Sequence, residues 1–329
     1  MIPLSILELG RVREGADRRT ALNEARTLAQ LAERLGYRRV WVAEHHNLPG
    51  VTTAATAVVI AHIAAGTERI RVGAGGIMLP NHAPYVIAEQ FGTLETLFPG
   101  RIDLGLGRAP GTDPITLRAL RRDPANADKF PQDVQELQAY LAPKSASQRI
   151  EAVPGSGTEV PLWILGSSLF GAQLAANLGL PYGFASHFAP QALYDALEIY
   201  RTTFQPSVQQ ERPYALVGVN VIAAETDEEA HYLATSQQMS FADIFRGARG
   251  LMQPPIDDIE SYWTPMEKLQ AEQMLRCSVI GSRDTVRNGL HELIEQTGAD
   301  ELMIVSDVFD PAKRLRSVEI IAQAMAGDG

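Results

Sequence analysis

Apolar positions along this chain follow two alternating rhythms. A short run, "PLSILEL" (3–9), precedes "TALNEARTLAQLAERLG" (20–36), in which Leu22, Ala25, Leu28, Ala32 and Leu35 recur at three- and four-residue steps and Gly36 supplies a stop. That pattern predicts a strand and then an amphipathic helix. The unit recurs with "RRVWVAEH" (38–45) before "AATAVVIAHIAAG", with "IRVGAGGIML" (70–79) before "YVIAEQFGTLETLF", and then with "RIDLGLGR" (101–108). The starts at 38, 70 and 101 are 32 and 31 residues apart, the span of a strand, a loop and a crossover helix. Further runs at 161–167, 181–188, 214–224 and 301–309 bring the predicted strands to eight.

Eight strands alternating with helices describe parallel βαβ units, which either close into a (β/α)8 TIM barrel or wind into an open sheet. Polar and glycine-rich residues gather at the C-terminal ends of nearly every strand: Glu44-His45-His46, Gly75-Gly76, Gly107-Arg108, Gly166-Ser167-Ser168, Ser186-His187 and Asp307. An open sheet would collect them near one switch point, so the distribution favours a single barrel domain over residues 1–329. Two intervals exceed a simple connection, 109–160 after strand 4 and 225–282 after strand 7. Both are expected as insertions at the catalytic end, where long loops form lids or substrate walls.

Composition narrows the partners. With 45% apolar and 21% charged residues the chain reads as an ordinary globular protein, and a formal net charge of −10 argues against nucleic acid or an anionic membrane as its main partner. Cys277 is the sole cysteine, which excludes an internal disulfide or a cysteine metal cluster and fits a cytoplasmic setting. The N-terminus carries no secretory signal pattern, and no apolar stretch reaches membrane-spanning length.

Several stretches carry chemistry. In "VGAGGIML" (72–79) three glycines interrupt a buried strand, which calls for a bulge, an unusual backbone angle or the close approach of another group. "WVAEHHN" (41–47) places one carboxylate and two imidazoles at a strand end; alternation turns His45 and His46 apart. No third metal ligand at a known spacing accompanies them, so no metal is expected. In "DLGLGRAPG" (103–111) the glycines stand at 105, 107 and 111, which fails the G-x-G-x-x-G dinucleotide pattern and leaves Arg108 as a charged fork for a phosphate or carboxylate. "LGSSLFGAQLAANLG" (165–179) opens a helix with two serines, where capping and anion binding are both open readings. Since strands 4 and 5 are neighbours in a barrel, Arg108 can reach the same anion.

Together "VAEHH", "VGAGGIMLPNHAP", "AEQFGTLETLFPGRIDLGLGRAPG", "PLWILGSS" and "GADELMIVSDVF" resemble the bacterial luciferase-like, flavin-dependent monooxygenases along almost the whole chain. The resemblance implies FMN at the barrel mouth, with a non-prolyl cis peptide at Gly75–Gly76 supporting the flavin ring. It places Arg108, Gly166, Ser167 and Ser168 on the FMN phosphate and His45 in proton management. Gly107 stands where luciferase has a reactive cysteine, so light emission is not expected.

The function expected from this reading is oxygenation of a small organic substrate, an aldehyde or ketone among others, by reduced FMN and molecular oxygen. Reducing power would come from a separate NAD(P)H:flavin reductase or from transient nicotinamide binding, and the assembly implied is a homodimer. His187 and Asp307 are candidates for the substrate side. Hydride transfer with a deazaflavin, and non-catalytic flavin binding, are the alternatives.

Overall fold

A computed structural model describes residues 2–109 and 111–326. Its strands are β1 (Leu4–Glu8), β2 (Arg39–Val42), β3 (Arg71–Met78), β4 (Ile102–Gly107), β5 (Leu162–Gly166), β6 (Tyr182–Phe184), β7 (Ala215–Ala223), β8 (Ser278–Gly281) and β9 (Glu301–Val305). All are parallel, in the order β6-β5-β4-β3-β2-β1-β9-β7-β8, and a β6–β7 pairing closes the ring. Eight strands therefore form a (β/α)8 barrel, as the alternating pattern predicts.

The ninth strand, β8, is a departure from the eight expected. Residues 215–217 at the start of β7 pair with β6, which stops at Phe184, and the β7 edge beyond them would be unpaired. β8 fills it from Asn220↔Ser278 to Ala223↔Gly281, so it extends the sheet outside the barrel wall. Strand 6 is also shorter than the run 181–188. After Phe184 the chain leaves β7, and side chains replace ladder bonds: Ser186 Oγ donates to the Gly218 carbonyl (2.6 Å) and Asn220 Nδ2 to the His187 carbonyl (2.7 Å).

The helices are α1 (Arg18–Arg34), α2 (Thr56–Ala64), α3 (Pro84–Leu97), α4 (Pro114–Ala119), α5 (Phe130–Leu141), α6 (Leu169–Leu178), α7 (Leu193–Thr203), α8 (Asp227–Arg246), α9 (Pro265–Met274), α10 (Arg283–Thr297) and α11 (Pro311–Met325). In α1 the Asp17 carboxylate accepts from Thr20 N–H (2.7 Å), and Gly36 takes the left-handed φ of +81° that ends the helix. Buried Ala25, Leu28 and Ala32 face the barrel, as their spacing predicts. The interval after β4 holds α4 and α5; the one after β7 holds α8, α9 and β8. Backbone bonds tie this second segment to the loop after β1, Met252 N–H to the Val12 carbonyl (2.9 Å) and Glu14 N–H to the Met252 carbonyl (2.8 Å), and Val12 N–H ties that loop to the Gly50 carbonyl after β2 (2.9 Å). No helix among the described residues is long and apolar enough to cross a membrane.

Strand alternation splits the core into two layers. One lies between strands and helices, with Val40, Val42, Val72, Ile102, Leu104 and Ile304 among its strand residues. The other fills the barrel itself with Leu7, Trp41, Ala43, Trp163, Leu216, Met303 and Val305. Below that inner layer lies a buried charge cluster. Arg39 gives Nη1 to Asp103 Oδ2 (2.7 Å) and Nε to Glu301 Oε1 (2.8 Å), and its guanidinium is 4.7 Å from the Trp163 ring centroid. Trp41 Nε1 and Arg71 also donate to Asp103, and Tyr214 and Ser5 to Glu301.

Removing Arg39 leaves two enclosed carboxylates without their shared cation. Arg39→Met is expected to cost about 3–5 kcal/mol of unfolding free energy. Urea denaturation measures it; a loss under 1 kcal/mol would show that the cluster contributes little.

Candidate functional site

Glycines make room at the upper end of the barrel. Gly75 on β3, Gly183 on β6 and Gly218 on β7 line a hollow of about 320 Å³ with Leu7, Trp41, Leu165, Leu216, Met303 and His187. The wall is predominantly apolar, and Trp41, which lines it, packs edge to face on Trp163 with ring centroids 5.0 Å apart. The peptide bond between Gly75 and Gly76 is cis, and the β3–β4 register shifts between Gly75 and Ile77. Both glycines are sterically required: a Cβ on Gly75 would stand 2.7 Å from Leu7 Cδ1, and one on Gly76 2.7 Å from the Gly105 carbonyl oxygen. Of the three sequence-level explanations for this run, the bulge and the unusual backbone are both present.

Glu44 holds the far end of that kink. Its backbone N–H donates to the Gly76 carbonyl (3.3 Å), and its carboxylate accepts from Met78 N–H (3.1 Å), so it braces β3 on both sides of Ile77. The carboxylate is enclosed, and two imidazoles secure it: His46 Nε2 at 2.8 Å and His82 Nε2 at 2.9 Å from Oε1. Those hydrogen bonds hold Glu44 ionised against the opposing effect of its burial. Sequence reasoning missed His82. It brings a third ligand-type side chain to within 4.8 Å of Glu44 and His46, but the three donor atoms are engaged with one another as a hydrogen-bonded triad.

His45 turns the other way, as alternation requires. Its Nδ1 is enclosed and has no hydrogen-bond partner, and the same is true of His187 Nδ1. Desolvation pushes His45 down to about 4, assisted by the positive charges of Arg249 and Arg11 and opposed by Glu44. Desolvation likewise pushes His187 down to about 4, with His45 adding to it. Two neutral imidazoles thus share the dry side of the barrel mouth at physiological pH. Gly218 makes space for one of them, because a Cβ there would collide with His187 Nδ1. Gln237 Nε2 donates to Asn220 Oδ1 (3.1 Å), and Asn220 in turn holds the His187 carbonyl.

Arg108 and the serine turn meet at a third place. The guanidinium lies 4.1 Å from the centroid of the Phe170 ring, in the first turn of α6, and pairs with no carboxylate among the described residues. Ser168 is the N-cap residue of α6, but its side chain makes no capping bond, so the N–H groups of the first turn are open. Ser167 and Ser168 are exposed, and a Cβ on Gly166 would make only ordinary contacts with Gly171 Cα and the Tyr182 hydroxyl. An exposed arginine, two free hydroxyls and uncapped N–H groups at a helix start form a ready anion cradle. Asp307, after β9, faces Arg11 at 3.7 Å and lines the hollow beside α1 and α11 rather than the one that holds His187. Arg11 and Arg249, which sequence reasoning also missed, stand in loops where no periodicity marks them. Cys277 is buried, its thiol pushed up by desolvation, consistent with a packing role.

The luciferase-like monooxygenase family matches residues 2–301. The chain belongs to that family. It is 48% identical over 320 residues to a luciferase-like monooxygenase of Escherichia coli (strain K12), covering 97% of this chain and 96% of that protein. The crystal structure of apo-MsnO8 superposes with a TM-score of 0.88 at 35% identity, with 98% of each chain covered. The oxygenating constituent of 3,6-diketocamphane monooxygenase in complex with FMN, at 19% identity and a TM-score of 0.73, shares the fold over 99% of this chain and 98% of its own. In this chain the histidine pair is expected to titrate as a unit near pH 4, which imidazole proton or carbon resonances would follow. The folded state prefers both rings neutral, so their contribution to stability is complete above pH 6.5 and declines as pH falls toward 4. Gly218→Ala, which displaces His187, should return that ring toward 6.5 and flatten this part of the stability curve; an unchanged titration would contradict the burial argument.

Proposed function

We propose that the protein is an FMN-dependent monooxygenase, using reduced FMN and molecular oxygen to place one oxygen atom on a small organic substrate such as an aldehyde or ketone. The observation that carries the reading is the placement of an anion cradle beside a glycine-lined apolar hollow. Arg108, Ser167, Ser168 and the open N–H groups of α6 would take the FMN phosphate. Leu165, at the end of the strand leading into that turn, also lines the hollow, so one short segment connects the phosphate end to the ring end. Gly75 and Gly76 would offer bare main chain to a planar ring, and Glu44 keeps that main chain in place.

When bound, FMN would supply the electrons that activate oxygen. The chain's contribution is to orient and to keep dry. Leu7, Trp41, Leu216 and Met303 exclude water from the hollow. His45, neutral at physiological pH and with an unengaged Nδ1, would hold or accept a proton close to the ring. Reduced flavin would come from a separate NAD(P)H:flavin reductase, consistent with the missing dinucleotide pattern.

Titration of the purified protein with FMN, riboflavin and a deazaflavin tests the cofactor. Arg108→Ala should weaken FMN by about 10- to 100-fold and leave riboflavin nearly unchanged, because only FMN carries the phosphate whose charge-assisted bonds contribute about 1.5–3 kcal/mol. Equal losses for both ligands would remove Arg108 from the phosphate. Air exposure of the protein with reduced FMN is expected to consume oxygen in a substrate-dependent manner. Preference for the deazaflavin with no oxygen consumption would instead establish hydride transfer, and tight FMN retention without turnover would establish a binding protein.

A further inference from the structure

We propose that a second hollow at the barrel mouth, bounded by Arg11, Arg13 and Arg314, is a carboxylate-binding subsite, so that the substrate is an organic acid. Calling the ligand a substrate rests on the monooxygenase reading; the anion site itself does not. The hollow opens to solvent between the loop after β1, α1, and the loop from β9 into α11, with Met252 of the second insertion at its edge. Two guanidinium N–H donors of its arginines, Arg11 Nε and Arg13 Nε, are buried without a hydrogen-bond partner.

Each arginine is fixed by its remaining nitrogens. Arg11 Nη2 donates to Ser240 Oγ (2.8 Å), Arg13 Nη2 to Glu24 Oε1 (2.6 Å) and Arg314 Nε to the Ser306 carbonyl (2.8 Å). Asp307 Oδ2 is 3.7 Å from Arg11 Nε, beyond hydrogen-bond distance, whereas Glu8 Oε2 pairs with Arg314 Nη2 at 3.1 Å. Buried donors are nearly always satisfied in native proteins, and an enclosed guanidinium N–H without an acceptor is costly. An acceptor brought by a ligand would relieve Arg11 and Arg13, and a planar carboxylate matches the guanidinium fork.

Local charge selects the class of anion. Three guanidiniums stand against Glu8, Glu24 and Asp307, so the pocket is neutral before it binds. A monoanion suits that balance better than a phosphate dianion, which would face three carboxylates. Leu28, Val308, Phe309 and Leu315 supply an apolar wall for the rest of an organic acid. Arg11 also belongs to the charges that hold His45 neutral, which connects this hollow to the flavin side of the mouth.

Calorimetric titration of the full-length, flavin-free protein with hexanoate and with its neutral isostere hexanamide tests the proposal. Hexanoate is expected to bind one to one, with hexanamide at least about tenfold weaker. Arg11→Gln and Arg13→Gln, each checked for folding by its thermal midpoint, should weaken hexanoate at least tenfold and leave hexanamide unchanged. The proposal is overturned by equal binding of the two probes, by hexanoate binding indifferent to both substitutions, by inorganic phosphate binding more tightly than hexanoate, or by no saturable binding, which would assign the donors to water. FMN titration of the same samples is an independent readout: FMN bound without hexanoate sinks the subsite alone, and hexanoate bound without FMN sinks the flavin reading alone.

Discussion

The buried cation Arg39 sets the design of the barrel. A parallel barrel must fill its own interior, and here the lower end is closed by one guanidinium shared between Asp103 and Glu301 and stacked near Trp163. The cluster draws on β1, β2, β3, β4 and β9 through Ser5, Arg39, Trp41, Arg71, Asp103 and Glu301, and on Tyr214 just before β7. An ion pair in such a place is weak evidence for net stability, yet it is geometrically demanding, because every enclosed charge must find its partner. That demand locks strand register at the bottom and leaves the top free to vary.

Above the Trp41–Trp163 layer the inward positions become small. Gly75, Gly183 and Gly218 withdraw side chains, and the barrel opens into a hollow with predominantly apolar walls. The same removal of solvent that creates the hollow keeps His45 and His187 neutral. Glu44 shows the complementary effect: it is equally enclosed, but two imidazoles and a backbone N–H keep it charged. Burial alone does not decide protonation; burial together with the partners supplied does.

The mouth is divided by charge. Arg108 and the start of α6 present positive character at one side, where no carboxylate among the described residues pairs with it. In the hollow beside α1 and α11, Arg11, Arg13 and Arg314 are balanced by carboxylates in number, but Arg11 and Arg13 retain unmet N–H donors. The first arrangement suits a dianion and the second a monoanion, so the two positive regions need not compete for one ligand. The second insertion contributes to the latter, because backbone bonds at Val12 and Met252 tie it to the loop after β1.

Much of this was legible from residues alone. Short apolar runs alternating with three-to-four-residue helical spacing predicted every barrel strand, since both faces of a parallel strand are buried and its apolar content is therefore conspicuous. The glycines of β3, the arginine closing β4 and the serines opening α6 were likewise visible, because each lies at a strand end whose neighbour in a barrel follows from chain order. β8 was not visible: its four residues are fewer than a periodic signal needs, and it exists to cover an edge that β6 leaves bare. His82, Arg11 and Arg249 were also hidden, because they sit in loops and acquire meaning only from what faces them. Local chain chemistry therefore determined the elements and their succession, a matter of backbone and side-chain preference over a few residues. Tertiary structure alone decided which donors were left without acceptors and which imidazoles lost their water, because hydration and pairing depend on atoms that are distant in sequence.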